Sequence, residues 1–259
     1  MTTTSQGWLR PGPGTAPPGR PTRPRVVCLA YAGRGASVFA DWPALLAGTA
    51  DVLAVQLPAR EERRGDTPVT DTQTLRAELL PELLPWFDGP TVLFGHCMGA
   101  LLAADLAVAM RAGHGVEPAA LVLSGAAPPW QQESLGDLES LTDGEFVRGL
   151  RKAGALTARQ IAEPAVLALM LPAIRADYLL FESTRRAFAR PAAPPLDCPV
   201  SLYAGDADAA IDPEQVRDWG ALTTRDAPLR IFPGDHFFLE SAAADVAAAV
   251  AEQVRQVRP

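Results

Sequence analysis

The sequence predicts an α/β fold: a mostly parallel central sheet with helices on both faces and a helical lid inserted late in the chain. Three observations carry this. Short apolar runs alternate with helically spaced segments over residues 25–129, as buried parallel strands and their crossovers do. Between about residues 130 and 190 the pattern turns helical throughout, and the alternation then resumes. A glycine-flanked turn at residues 95–99 joins an apolar strand to a helix.

The elements follow in order. Residues 1–24 are rich in Pro, Gly, Thr and Arg and read as an irregular N-terminal arm, with Trp8 and Leu9 tucked against the body. Residues 25–259 read as one domain with its lid at 130–190. RVVCLAYAG (25–33) is an apolar run ending in Gly, as a buried parallel strand ends, and a loop and helix follow it. ADVLAVQLPAR supplies the next strand. TDTQTLRAELLPELLPWF has helical spacing, with Pro81 and Pro85 limiting its regularity. PTVLFGH and AALVLSGAAPP are strands on either side of the helix MGALLAADLAVAMRAG. Within the lid, Leu167, Leu171, Ile174 and Leu180 read as packing residues. RPAAPP (190–195) is a connector back to the sheet, followed by CPVSLYAGDAD, LRIFPGDHFFLE and an Ala-rich helix from Ala242 to about Val257.

Composition narrows the function classes. The chain has 259 residues, 48% of them hydrophobic and 20% charged, enough for a substantial core. With 23 basic and 30 acidic residues its formal charge is −7, which disfavours nucleic acid and anionic membranes as partners. No apolar run approaches a membrane span. Three cysteines, Cys28, Cys97 and Cys198, with no hydrophobic leader, set the expectation of a reducing cytoplasm and no disulfide framework. The Cys and His residues are scattered without metal-ligand spacing, and neither Gly-Lys-Ser/Thr nor the three-glycine dinucleotide pattern is present, so no bound cofactor is expected.

The chemistry concentrates in Gly95-His96-Cys97-Met98-Gly99. A nucleophile on a tight strand-to-helix turn, flanked by glycines, is a nucleophile elbow, and the helix start offers free N–H groups and a positive dipole end that favour a thiolate and an oxyanion. Such a nucleophile needs an acid and then a His later in the chain. His236, in FPGDHFFLE, stands where the order places the base. YAGDADAAID offers Asp206, Asp208 and Asp212; the spacing favours Asp208, with Asp206 as runner-up. Cys97, His236 and Asp208 therefore form the candidate triad. The oxyanion hole is expected from the backbone N–H of Met98 and of Ala32, with Tyr31 next.

These residues resemble the type II thioesterases that accompany polyketide synthases and nonribosomal peptide synthetases. The resemblance rests on WLR, YAGRGASVFADW, VQLPAREERRGDTP, FGHCMGA, LPAIRADYLLFES, GDADAAI and PGDHFFL in that order, and runs over nearly the whole chain from Trp8. It implies an α/β-hydrolase fold and hydrolysis of acyl or aminoacyl thioesters from the phosphopantetheine arm of acyl or peptidyl carrier proteins; a cytoplasmic monomer is expected. It also puts nucleophile, acid and base on Cys97, Asp208 and His236. Departures are Cys97 where the family has serine, Ala30 and Arg34 in the first loop, and Ala59 and Asp235 where glycine is common. Arg34 is expected either at the substrate or in solvent. The basic residues of ESTRR and Arg190 could meet an acidic carrier or form a solvated helix face.

The sulfur leaves three readings of the site: hydrolysis through a native cysteine, transfer of the acyl group from one carrier thiol to another, or a serine replacement that traps the acyl-enzyme. Transfer is attractive because thioester-to-thioester exchange keeps the acyl group activated. Hydrolysis is favoured because the rest of the chain follows the hydrolytic family. A non-catalytic carrier-binding protein is the alternative from another class.

Overall fold

The computed structural model describes residues 7–132, 134, 136–188 and 195–257. Its centre is a seven-stranded sheet in the order β1-β3-β2-β4-β5-β6-β7. The strands are β1 (Leu9–Pro11), β2 (Arg25–Leu29), β3 (Asp51–Val55), β4 (Thr91–His96), β5 (Ala120–Ser124), β6 (Val200–Gly205) and β7 (Leu229–Phe232). All neighbours run parallel except β1, which lies antiparallel on the edge of β3. The helices are α1 (Trp42–Leu45), α2 (Thr72–Leu83), α3 (Met98–His114), α4 (Asp143–Lys152), α5 (Ala158–Ala162), α6 (Pro164–Ala187), α7 (Pro213–Val216), α8 (Phe238–Ser241) and α9 (Ala243–Gln256), with short 3-10 turns between some of them.

The sheet is buried on both faces: every residue of β2 to β6 is buried, and most of them are apolar. Alternate residues serve opposite faces. In β2, Val27 and Leu29 join the cluster under α2, α3 and α6, while Val26 and Cys28 join Trp42, Val246 and Val250 under α1 and α9. Pro81 sits inside α2 and Pro85 in the 3-10 turn that follows it, so the prolines end the regular helix without preventing it.

Residues 1–24, expected to be irregular, contain β1. Its three residues pair with Leu53–Val55 of the β3 edge, and the Gln56 N–H donates to the Trp8 carbonyl at 2.7 Å. An edge strand presents unpaired backbone groups, and the Trp8-Leu9-Arg10 segment satisfies them without needing a long apolar pattern of its own. Trp8 is buried, and Arg63 stacks on its ring. Residues 1–6 of the arm and all but Pro195 of the 190–195 connector, Arg190 included, lie outside the described residues.

Between β5 and β6 the described chain is helical. Phe146 and Leu150 of α4 and Leu167, Leu171 and Ile174 of α6 form a small separate core, whereas Leu180 belongs to the main core. α6 thus bridges lid and body. It also corrects one expectation. At 24 residues, with a hydropathy of 1.5 in its most apolar stretch, α6 is long and apolar enough to cross a membrane. Here Leu180 packs in the main core and Leu167, Leu171 and Ile174 in the lid core, while Leu169 stays exposed.

Candidate active site

Parallel pairing brings the strand C-termini to one edge: His96 lies opposite Ser124, Ser124 opposite Tyr203, and Gly205 opposite Phe232. The loops leaving that edge carry the candidate residues, as open parallel sheets generally arrange their sites.

Cys97 links β4 to α3 at φ 53° and ψ −118°, a conformation that costs a non-glycine residue about 1–3 kcal/mol. The surroundings enforce it. The Cys97 N–H donates to the Ser124 carbonyl at 2.8 Å, and its carbonyl accepts the Ala100 N–H at 3.0 Å. A Cβ on Gly95 would lie 2.0 Å from the Gly99 carbonyl oxygen, and one on Gly99 would lie 2.2 Å from that of Leu29. Both glycines are therefore required by close backbone approach, and the turn aims the side chain between them into a cavity.

That cavity, of about 200 Å³, is lined by Ala32, Cys97, Met98 and His236, with Tyr178 and Phe181 contributed by α6. Cys97 is partly exposed, while the other two cysteines are buried. Burial pushes the Cys28 thiol well up, and burial followed by the Glu117 carboxylate pushes Cys198 up to about 12, so both remain unreactive thiols.

His236 follows β7, and Asp208 follows β6. The imidazole Nδ1 is 2.8 Å from Asp208 Oδ2, with side chains 8% and 1% exposed. Asp208 Oδ1 accepts the N–H groups of Ala210 at 2.8 Å and Ile211 at 3.1 Å. Burial works against this carboxylate, but its bonds to His236 and to the two amides hold it below the usual range. For His236, burial likewise opposes the charged ring. Electrostatic interaction with Cys97, a hydrogen bond to Asp208 and a hydrogen bond to Cys97 outweigh it, and the pKa rises to about 10. The ring therefore faces sulfur on one side and carboxylate on the other, and favours an imidazolium.

The competing aspartates have other work. Asp206 accepts the Gly234 N–H at 2.9 Å, and Asp212 caps α7 through the Glu214 N–H at 2.9 Å. Asp235, beside the base, accepts the Phe237 N–H at 2.9 Å. Arg34 lies 3.8 Å from Glu240 and does not line the cavity; the Tyr31 hydroxyl bonds the same carboxylate. Arg185 and Arg186 of the basic stretch pair with Glu182 on their own helix. Ala59 has φ 66°, which explains why glycine suits that position.

Met98 opens α3, so its N–H belongs to the helix-start amides that have no intrahelical acceptor. The Ala32 N–H has no acceptor among the described residues. Both residues border the cavity beside Cys97.

Two features of the site were not legible in the sequence. His96, read only as part of the elbow, is fully buried. Its Nδ1 is 2.8 Å from Ser124 Oγ and its Nε2 is 2.9 Å from the His236 carbonyl. A carbonyl only accepts, so Nε2 carries the proton and Nδ1 accepts from the serine hydroxyl. Burial, and then the charge on His236, hold its pKa near 3, so the ring stays neutral and props the backbone of His236. The second feature is a buried pair, Arg60 and Asp177, behind the loop that carries Ala32. Its partners are 117 residues apart, and no local pattern could signal it. Among the described residues no group of three His, Cys, Asp or Glu side chains is arranged to hold a metal.

With this geometry in hand, the thioesterase domain model matches residues 24–256. The chain belongs to the thioesterase family. The thioesterase is 32% identical over 237 residues to thioesterase PikA5 of Streptomyces venezuelae, covering 90% of this chain and 80% of that one. It is 29% identical to gramicidin S biosynthesis protein GrsT of Aneurinibacillus migulanus, over 90% of both. Among solved structures it resembles the type II thioesterase BorB from the borrelidin biosynthetic cluster, at 35% identity and a TM-score of 0.81, covering 97% of this chain and 99% of the other. The enzyme therefore has the α/β-hydrolase fold of these thioesterases and hydrolyses thioesters.

Proposed function

We propose that this thioesterase removes acyl or aminoacyl groups from the phosphopantetheine thiol of carrier proteins in polyketide or nonribosomal peptide biosynthesis, using Cys97, His236 and Asp208. The observation that carries the mechanism is Cys97 on its strained turn with His236 beside it and Asp208 2.8 Å behind the imidazole. The biosynthetic setting is supported by the names of the relatives, among them type II thioesterases of the borrelidin and yersiniabactin pathways.

The sulfur anion of Cys97 attacks the thioester carbonyl carbon. The N–H groups of Met98 and Ala32 receive the negative charge that develops on oxygen. The tetrahedral intermediate collapses, the carbon–sulfur bond to the carrier breaks, and His236 gives its proton to the departing thiol. The acyl group is now on Cys97. His236, neutral, takes a proton from water, and the hydroxide adds to the acyl carbon. Collapse expels the Cys97 sulfur and yields the free acid. Throughout, Asp208 keeps the Nδ1 proton on its own side of the ring, leaving Nε2 for the transferred proton. The cavity, lined by five alanines together with Met98, Tyr178, Phe181 and Ile211, takes the acyl chain. On this reading the enzyme works as a cytoplasmic monomer.

A two-carrier experiment tests the proposal. A carrier loaded with a radiolabelled acyl group is mixed with enzyme and then with an unloaded second carrier. The expected result is labelled free acid. Label on the second carrier would mean thiol-to-thiol transfer, unchanged release by a Cys97→Ala variant would mean that release does not run through Cys97, and release no faster than without enzyme would mean that the protein binds carriers without catalysing.

A further inference from the structure

The Arg60–Asp177 pair joins three separate parts of the site and lies outside the proposed triad. Arg60 Nη1 and Nη2 donate to Asp177 Oδ2 and Oδ1 at 2.5 and 2.7 Å, with side chains 6% and 0% exposed. Asp177 Oδ2 also accepts the Gly33 N–H at 2.6 Å. Arg60 donates further to the carbonyls of Pro58 at 3.0 Å and Arg34 at 3.3 Å. One end of this cluster is therefore α6, where Asp177 immediately precedes the cavity-lining Tyr178; another is the loop after β3; the third is the loop after β2, with Ala32 at the cavity. α6 presses closely on that loop: a Cβ on Gly33, at φ 79°, would lie 2.6 Å from Ile174 Cγ1.

A buried ion pair is a poor source of net stability, because desolvating both charges offsets most of their attraction. What the bidentate fork supplies is a fixed direction. Here the fixed object is the Ala32–Gly33 peptide, next along the chain from the one that carries the Ala32 N–H: the Gly33 N–H is held by Asp177, and the carbonyl of the following residue, Arg34, is held by Arg60. We infer that Arg60 and Asp177 are positioning residues that strap the oxyanion loop to α6, orienting the Ala32 N–H toward the carbonyl oxygen held above Cys97. This rests on the oxyanion role proposed for Ala32.

The test uses Asp177→Asn, which keeps an acceptor for Gly33 but removes the charge that orders Arg60. Three quantities are read: turnover of the S-butyryl thioester of N-acetylcysteamine, alkylation of Cys97 by iodoacetamide, and amide hydrogen exchange at Gly33. Alkylation needs the thiol and its histidine but no oxyanion hole. The expected result is a kcat lower by about tenfold to a hundredfold, KM and alkylation within about twofold of wild type, and at least tenfold faster exchange at Gly33, whose N–H Asp177 holds. Unchanged kcat with a lowered denaturation midpoint would overturn the inference, since the pair would then be structural only. Equal losses in kcat and alkylation would overturn it too, by showing general distortion. If the single variant does not fold, the neutral double variant Asp177→Asn/Arg60→Gln leaves no unpaired buried charge, and the same split is read from it. Should wild-type enzyme alkylate but fail to release butyrate, the hydrolytic proposal falls; faster exchange at Gly33 in the variant then upholds the strap, and unchanged exchange overturns it.

Discussion

His236 holds its proton because two negative groups face it in a buried place. Burial alone would strip the charge; the Cys97 sulfur and Asp208 reverse that and bring the pKa to about 10. Removing Asp208 removes one of the raising influences. In the pH profile of kcat/KM, activity of the wild type should fall as pH rises through about 10, where the imidazole can no longer protonate the leaving thiol. In Asp208→Asn the same alkaline limb should move to lower pH, and kcat should fall about a hundredfold or more because the imidazole loses its fixed tautomer. An unshifted limb would mean that Asp208 does not set the state of His236. At this scale the sequence was informative where chemistry and chain order coincide. Cys97 and His236 stand at their motif positions, and Asp208 lay within a three-aspartate group that spacing ranked but did not separate. Separation came from hydrogen bonds: Asp206 accepts the Gly234 N–H, Asp212 caps α7, and of the three only Asp208 reaches the ring.

At the scale of elements, β1 shows how much a three-residue strand can matter. It covers the β3 edge, and Trp8 just before it is buried against the main core with Arg63 over its ring. Trp8→Ala should cost about 3–5 kcal/mol, read as a lower denaturation midpoint at unchanged slope. A loss below about 1 kcal/mol would mean that the arm is only loosely attached. The strands β2 to β6 were legible because central parallel strands are buried on both faces and read as continuous apolar runs. β1 was not, because its partner is an edge and its own residues include Pro11. The helical character of the lid was legible from the break in alternation. The manner in which α6 divides itself between a lid core and the body was not, since both uses draw on the same apolar spacing.

For the molecule as a whole, the sheet edge that carries the site also carries a buried histidine that acid must eventually charge. His96 is neutral in the fold, with its pKa near 3, against about 6.5 in the unfolded chain. Above pH 6.5 neither state is protonated there, and stability is intact. As pH falls from 6.5 toward 3 the unfolded chain gains a proton that the native state refuses, so stability declines by up to about 1.4 kcal/mol per pH unit. Comparing wild type with His96→Gln by denaturation between pH 6.5 and 4, the wild type should lose stability more steeply; parallel curves would show that His96 titrates normally. The acidic net charge of −7 bears on partners at this same scale. An acidic carrier would gain nothing from long-range attraction, so recognition would rest on short-range contacts around the cavity and on the pantetheine arm.

The central claim is that Cys97 takes the acyl group from a carrier and passes it to water. Its most direct test is intact-protein mass spectrometry of enzyme rapidly mixed with acyl-loaded carrier, with release of free acid followed in parallel. The predicted result is a transient mass increase of one acyl group on Cys97, decaying as free acid appears, with adduct and release both lost in Cys97→Ala. Release of free acid by Cys97→Ala at the wild-type rate would contradict it.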